Sequence, residues 1–404
     1  MSLRRFVPVL ALLGACICAF GQQQPAAAKH QPTERQLATI ANNEMRHFGN
    51  APDDPGPLAT DLSYSTKPAA VAKAMHKVAD WQLKVSQPYF DRVWTWSALY
   101  TGFMAASDSL GDPKYSDAME EMGKKFEWKV KPLLPDADNM SVAQTYLELY
   151  LKKKDPVMIQ STQTALDAIL AAPRGSTIPN KEITWWWCDA LFMAPPVWAR
   201  IYAATGDRKY ITYLDEEWAK TSDRLYDTKE HLYARDKSYL TRTEANGKKM
   251  FWSRGEGWVM AGIVRTLPYL PKDDPAREKY VKQLQEMAAR VTELQGKDGL
   301  WRAGLLDPDN YDLPEMSGSA FITFALAAGV NQGILDKKTY QPVIKKAWAG
   351  MLHHVYADGR LGCVQQTGPE PAYFRASASY TYGVGAFLLA GDEIRKMNGH
   401  HVAK

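Results

Sequence analysis

Thr205-Gly206-Asp207-Arg208-Lys209-Tyr210 decides the fold, because the same stop-and-start signal recurs along the chain. Glycine ends one helix, and the charged residues after it open the next. Leu110-Gly111-Asp112-Pro113-Lys114-Tyr115 repeats the signal. In Lys154-Asp155-Pro156, Lys272-Asp273-Asp274-Pro275 and Leu335-Asp336-Lys337-Lys338-Thr339-Tyr340 a charged turn takes the place of glycine. The aspartate markers stand about 40 to 70 residues apart, as in helix-pair repeats. Between them the larger apolar residues fall at three- and four-residue steps, as in Tyr210-Ile211-Thr212-Tyr213-Leu214-Asp215-Glu216-Glu217-Trp218.

With a last helix expected from Ala386 to Met397, roughly six helix pairs fill the chain. Such pairs stack into an open solenoid or close into a ring. The uneven units and the aromatic-rich connections (Tyr233 to Tyr239, Phe251 to Trp258, Leu300 to Ala303) favour closure. The expected fold is all-α, an (α/α)6 barrel spanning residues 37–397, with long loops building a pocket at one end. A short hairpin is expected around His231 to Met250, turning at Glu244-Ala245-Asn246-Gly247. The chain carries no Gly-rich phosphate loop and no long alternating strand pattern.

The 404 residues include 13 Trp and 20 Tyr, a composition suited to stacking on sugar rings. The formal charge of +4 includes Arg4 and Arg5, and the only basic run beyond them is Lys152-Lys153-Lys154, so nucleic acid is not an expected partner. Arg4-Arg5, the apolar run Phe6 to Phe20 and the small residues around Gly21 read as an export leader, residues 1–21, too short for a membrane span. Leu13-Gly14-Ala15-Cys16 offers a competing lipid-anchor reading, opposed by the apolar residues that follow Cys16. Residues 22–36 read as a disordered lead-in and 398–404 as a tail, and the expected location is periplasmic or extracellular. Outside the leader only Cys188 and Cys363 remain, which is not a disulfide framework, and no Cys/His metal spacing occurs.

Trp185-Trp186-Trp187-Cys188-Asp189-Ala190-Leu191-Phe192-Met193-Ala194-Pro195-Pro196 places one carboxylate in an aromatic and apolar run. Apolar surroundings favour the neutral, proton-donating form of a carboxyl, and indoles offer a face for a sugar. The competing reading is a helix cap or a partner for an arginine. Asp138 opens a helix in Asp138-Asn139-Met140-Ser141 and is either its cap or a second active-site carboxylate. Phe251-Trp252-Ser253-Arg254-Gly255-Glu256-Gly257-Trp258 sets Arg254 between two indoles, where its fork suits a substrate carboxylate or a structural bridge. Glu315-Met316-Ser317-Gly318-Ser319-Ala320-Phe321 is a Ser/Gly turn entering an apolar helix, and Trp94-Thr95-Trp96 is either core or sugar platform.

The runs Trp186 to Pro196, Trp252 to Trp258 and Ser317 to Phe321 together resemble the unsaturated glycuronyl hydrolases, most closely glycoside hydrolase family 105, the unsaturated rhamnogalacturonyl hydrolases, with family 88 as a relative. The resemblance covers nearly all of the chain beyond the leader, in order. It implies an (α/α)6 barrel that removes the 4,5-unsaturated uronic acid a polysaccharide lyase leaves at the non-reducing end of an oligosaccharide. It implies Asp189 as general acid/base, Asp138 as the second active-site carboxylate, and substrate contacts from Arg254, Trp258, Trp252, Trp187 and Trp96. No metal or organic cofactor is implied. Three positions depart from the family pattern: Glu256 stands for Asn, Met316 for Thr, and Arg235 for His, where Arg235 is expected to contact substrate as a permanent cation. Two other readings remain open, an inverting glycosidase using Asp138 and Asp189, and a non-catalytic sugar-binding repeat.

Overall fold

The computed structural model describes residues 32–132, 135–173, 175 and 181–399; the proposed leader and Cys16 lie outside them. Helix α1 (Glu34–Met45) opens on Thr33, whose side chain accepts the Gln36 N–H while the Gln36 side chain accepts the Thr33 N–H. This reciprocal cap starts the helix inside the expected lead-in, which the sequence reading extends to residue 36.

Six helix pairs follow. Helix α2 (Pro68–Ser86) precedes α3 (Trp94–Leu110). Helix α4 (Lys114–Lys125) leads through the single turn α5 (Ala137–Met140) to α6 (Ala143–Lys153). Helix α7 (Val157–Ala171) leads through α8 (Ala190–Met193) to α9 (Pro195–Thr205). The remaining pairs are α10 (Lys209–Leu225) with α11 (Ser253–Thr266), α12 (Arg277–Glu293) with α13 (Met316–Asn331), and α14 (Lys337–Leu352) with α15 (Thr381–Met397). The second member of each pair packs on the second member of the next, and α15 returns to α3, so the ring is closed. The inner helices are apolar nearly all round: α13 has no charged residue and is buried along almost its whole length. The outer helices α4, α10 and α12 bury one stripe and expose the other.

The expected turns separate the pairs. Gly206 ends α9 at φ 75°, where a Cβ would be strained, and the Asp336 side chain caps α14 by accepting the Thr339 N–H. These turns are short and lie at the C-terminal end of the inner helices. The loops at the other end are long (126–142, 172–189, 226–252, 294–315 and 353–380), so the inner-helix N-termini gather beneath them.

Strand β1 (Gly49–Asn50) comes before the ring, β2 (Tyr226–Asp227) and β3 (Leu232–Tyr233) form an antiparallel hairpin, and β4 (Ser379–Tyr380) pairs antiparallel with β1. The β2–β3 hairpin is additional to the expected turn at Glu244–Gly247, which closes downstream. The Tyr233 N–H donates to Glu256 and ties β3 to α11, whereas Glu244–Gly247 is enclosed by a single bridge between Thr243 and Lys249. Helix α15 begins before the expected Ala386, because β4 leads directly into it and the Thr381 hydroxyl donates to the Thr95 carbonyl at 2.8 Å. No described helix is long and apolar enough to cross a membrane.

Candidate active site

Asp138 lies in the first turn of α5, on the segment that feeds α6. The cap of α5 is Asp136, whose carboxylate accepts the Asp138 N–H at 2.9 Å. Asp138 is therefore not the cap. It lines a cleft of about 310 Å³ with Asn43, Trp94, Lys131, Asn139 and Thr367 among its walls. Burial first, then the nearby carboxylates of Asp136 and Asp189, hold the Asp138 carboxyl well above the usual carboxylate range, against the opposing pull of Arg235 and Lys131.

Asp189 stands at the N-terminal edge of α8 and makes no side-chain cap bond. It is 9% exposed, and its Oδ1 accepts the Cys188 thiol at 3.2 Å. Burial keeps that thiol protonated, so it remains a donor. The run is pinned from both sides. The Cys188 N–H donates to the Arg235 carbonyl at 2.8 Å, and Trp187 bridges to Asp236. Beneath it, Gly262 lets the backbone of α8 touch α11: a Cβ there would lie 2.0 Å from the Leu191 oxygen. Trp187 is buried, tilted against Trp186 with ring centroids 4.6 Å apart.

Arg235 joins the two carboxylates. Its Nη1 donates to Asp236 at 2.7 Å, its guanidinium lies 5.4 Å from the Trp186 ring, and its charge bears on both Asp138 and Asp189. It also lines a second, more open cavity of about 420 Å³ with Lys181, Trp186, Lys237 and Tyr239. Asp138 thus lines the first cavity and Arg235 the second.

Other expected substrate contacts are placed differently. Arg254 is 0% exposed. Its fork donates to the Gln365 and Gln366 carbonyls at 2.8 and 2.9 Å, its guanidinium lies over Trp252 and Tyr382, and Glu315 is 3.9 Å away. Its expected role as reader of a substrate carboxylate gives way to the structural reading: it holds the segment 365–370 across the barrel mouth. Trp252 is buried and donates to the Gln365 side chain at 2.9 Å. Trp258 is enclosed by Phe192, Phe321 and Trp94. Trp96 is enclosed by Phe48, Phe90 and Tyr100. These indoles are walls of the barrel. Two helical residues turn the side chain by about 200°, so Trp96 enters the core while Trp94 lines the cleft.

Three features were not singled out in the sequence. Asp136 was legible only as a second carboxylate two residues before Asp138. Glu315 sat inside a noted turn; it caps α13 through the Ser317 and Gly318 N–H groups. Gln365 and Gln366 carry no local signal, and their place is revealed by distant partners, Arg254, Trp252, Glu315 and Tyr382.

The geometry agrees with what the chain resembles. The family model described as Glycosyl Hydrolase Family 88 matches residues 65–398. An unsaturated 3S-rhamnoglycuronyl hydrolase from Formosa agariphila is 39% identical, covering 80% of this chain and 90% of that protein. A solved glycosyl hydrolase family 88 protein from Bacteroides vulgatus superposes with TM-score 0.77 at 28% identity, covering 82% of this chain and 99% of the other. A solved structure named a polysaccharide lyase superposes with TM-score 0.76 at 31% identity, covering 83% and 99%.

Proposed function

The chain belongs to glycosyl hydrolase family 88 and is a glycosidase, and from that premise we propose that it removes a 4,5-unsaturated uronic acid from the non-reducing end of lyase-generated oligosaccharides. The names of its relatives favour uronyl–rhamnose units as substrate over the pectin-type rhamnogalacturonan expected from the motifs. The observation that carries the reading is the electrostatic grouping of Asp138, Asp189 and Arg235, with Asp138 lining one cavity and Arg235 the other.

Hydration of the C4=C5 enol ether needs one proton delivered to C4, a water added to C5 and one proton taken back. We assign the transfer to Asp189 and the storage of the proton to Asp138, whose burial keeps it protonated. The Cys188 thiol donates to Asp189 and holds its carboxyl in place. The hemiketal formed at C5 then opens and the remaining sugar departs. This pathway differs from inverting hydrolysis, in which two carboxylates act across the anomeric carbon.

The test follows ultraviolet absorbance of lyase-generated oligosaccharides. The hydrolase reading requires loss of the absorbance and, in heavy water, one deuterium at C4. A rise in absorbance on intact polysaccharide would instead mark a lyase. Cleavage of saturated oligosaccharides without deuterium would mark an inverting glycosidase.

We also read residues 1–21 as an export leader and the protein as periplasmic or extracellular. The mass of the secreted chain checks this: it should begin at Gln22, and a lipid-modified Cys16 terminus would replace soluble export by anchoring.

A further inference from the structure

We propose that the N-terminal arm belongs to the active site, and that Arg46, at the end of its helix α1, receives the carboxylate of the unsaturated uronate. The proposal rests on the hydrolase reading above for the identity of that sugar. The family model begins at residue 65, so α1 and β1 lie upstream of it. The arm is nevertheless fastened to the barrel mouth. Strand β1 pairs with β4, the Thr381 N–H donates to the Phe48 carbonyl at 2.9 Å, and Arg375 donates to the Ala51 carbonyl at 3.0 Å. Phe48 packs edge-on to Trp96, with ring centroids 6.1 Å apart. Asn43 is the buried residue of α1, and its Oδ1 accepts the Thr367 hydroxyl at 3.0 Å. Thr367 directly follows the two carbonyls that Arg254 holds, so Arg254 steadies α1 through the 365–370 segment.

This docking makes Asn43 and Arg46 part of the wall of the cleft that holds Asp138. Arg46 is exposed and pairs with no carboxylate among the described residues. Glu44, its nearest acid in sequence, turns instead to the Ala51 N–H at 3.4 Å. The other cation of the wall, Lys131, bears on Asp136 and Asp138. Burial raises both of those carboxyls, which weakens the negative charge the cleft can set against its cations. Arg254 cannot serve the substrate, because its fork is taken up by Gln365 and Gln366. A free guanidinium fork suits a carboxylate, which it can grip through two parallel hydrogen bonds. The unsaturated uronate carries its carboxylate on C5, next to the carbon that takes the proton. A hold on that group would therefore fix C4 for proton transfer.

Two measurements test this on one pair of probes, an unsaturated disaccharide as the free uronic acid and as its methyl ester. The first is kcat/KM on each. The second is calorimetric binding of each to Asp189→Asn, which needs no turnover. In Arg46→Gln the acid-to-ester ratio of kcat/KM should fall about ten- to a hundredfold, the size of a charge-assisted hydrogen bond. The loss should lie in KM, and the binding ratio should fall alike when Arg46→Gln is added to Asp189→Asn. Arg46→Lys should restore only part of the preference, since lysine keeps the charge and loses the fork. An unchanged ratio in a folded Arg46→Gln would overturn the role of Arg46. An equal fall on acid and ester would reduce the arm to a support of the cleft and overturn it too. A larger loss on the acid alone in Lys131→Gln would move the carboxylate to Lys131 and away from the arm. If wild type consumes neither disaccharide but Arg46→Gln still weakens binding of the acid alone, the hydrolase reading fails and the carboxylate site stands.

Discussion

At the scale of single residues, Asp189 and Asp138 carry different burdens. Asp189→Asn keeps shape and loses the transferable proton, so turnover should fall about 100- to 10,000-fold at every pH; retention of a tenth of the rate would remove Asp189 from its role. Asp138→Asn should leave a residual rate at acidic pH and move the alkaline limb of the pH–rate profile downward. The variant lacks the carboxyl whose burial stores the proton and must draw it from solvent. A limb that stays where it is in wild type would show that Asp138 stores nothing. Arg254 is a different case. Lysine keeps the charge but cannot span both the Gln365 and Gln366 carbonyls. Arg254→Lys should lower stability by about 1 to 3 kcal/mol and slow turnover of the free uronic acid and of its methyl ester alike. A loss confined to the free acid would return Arg254 to the role of carboxylate reader.

At the scale of elements, the site depends on how closely helices approach. Helix α8 carries Asp189 and rests on α11 through Gly262. Gly262→Ala must push the two backbones apart, since both partners are main chain and neither can rotate away. Overpacking of this kind costs about 1 to 3 kcal/mol, and kcat should fall with the displacement of Asp189. Thermal melts and kinetics together check this: a variant with unchanged melting temperature and unchanged kcat would show that the contact is loose. Much at this scale was legible in the sequence. The Gly-Asp turns marked the pairs because glycine and aspartate act through their own local backbone. The turn at Glu244–Gly247 closes as a short antiparallel bridge, whereas the pairing of Leu232 and Tyr233 was not foreseen, because Glu256, the acceptor that holds Tyr233, is distant in sequence.

At the scale of the whole molecule, stability is expected to carry the mark of the proton store. The folded-state pKa of Asp138 is raised above its unfolded value of about 3.9. Below that value both states are protonated and the group contributes nothing. As pH rises, the unfolded chain releases the proton first, so the folded state holds more protons and loses stability until the folded-state pKa is passed. The melting temperature of Asp138→Asn minus that of wild type should therefore be near zero at about pH 3.5 and grow with pH; a flat difference would contradict the buried, protonated Asp138. Periodicity and turn chemistry are local signals, so the helix pairs were legible in the chain itself, which favoured closure of the ring and marked Asp138 and Asp189 as candidate carboxylates. The sequence alone could not decide which indoles face sugar, because two helical residues, about half a turn, separate Trp94 in the cleft from Trp96 in the core. Nor could it decide the partner of Arg254 or the place of Arg46 at the cleft. Those depend on segments far apart in the chain that meet only when the ring closes and the long loops fold over its mouth.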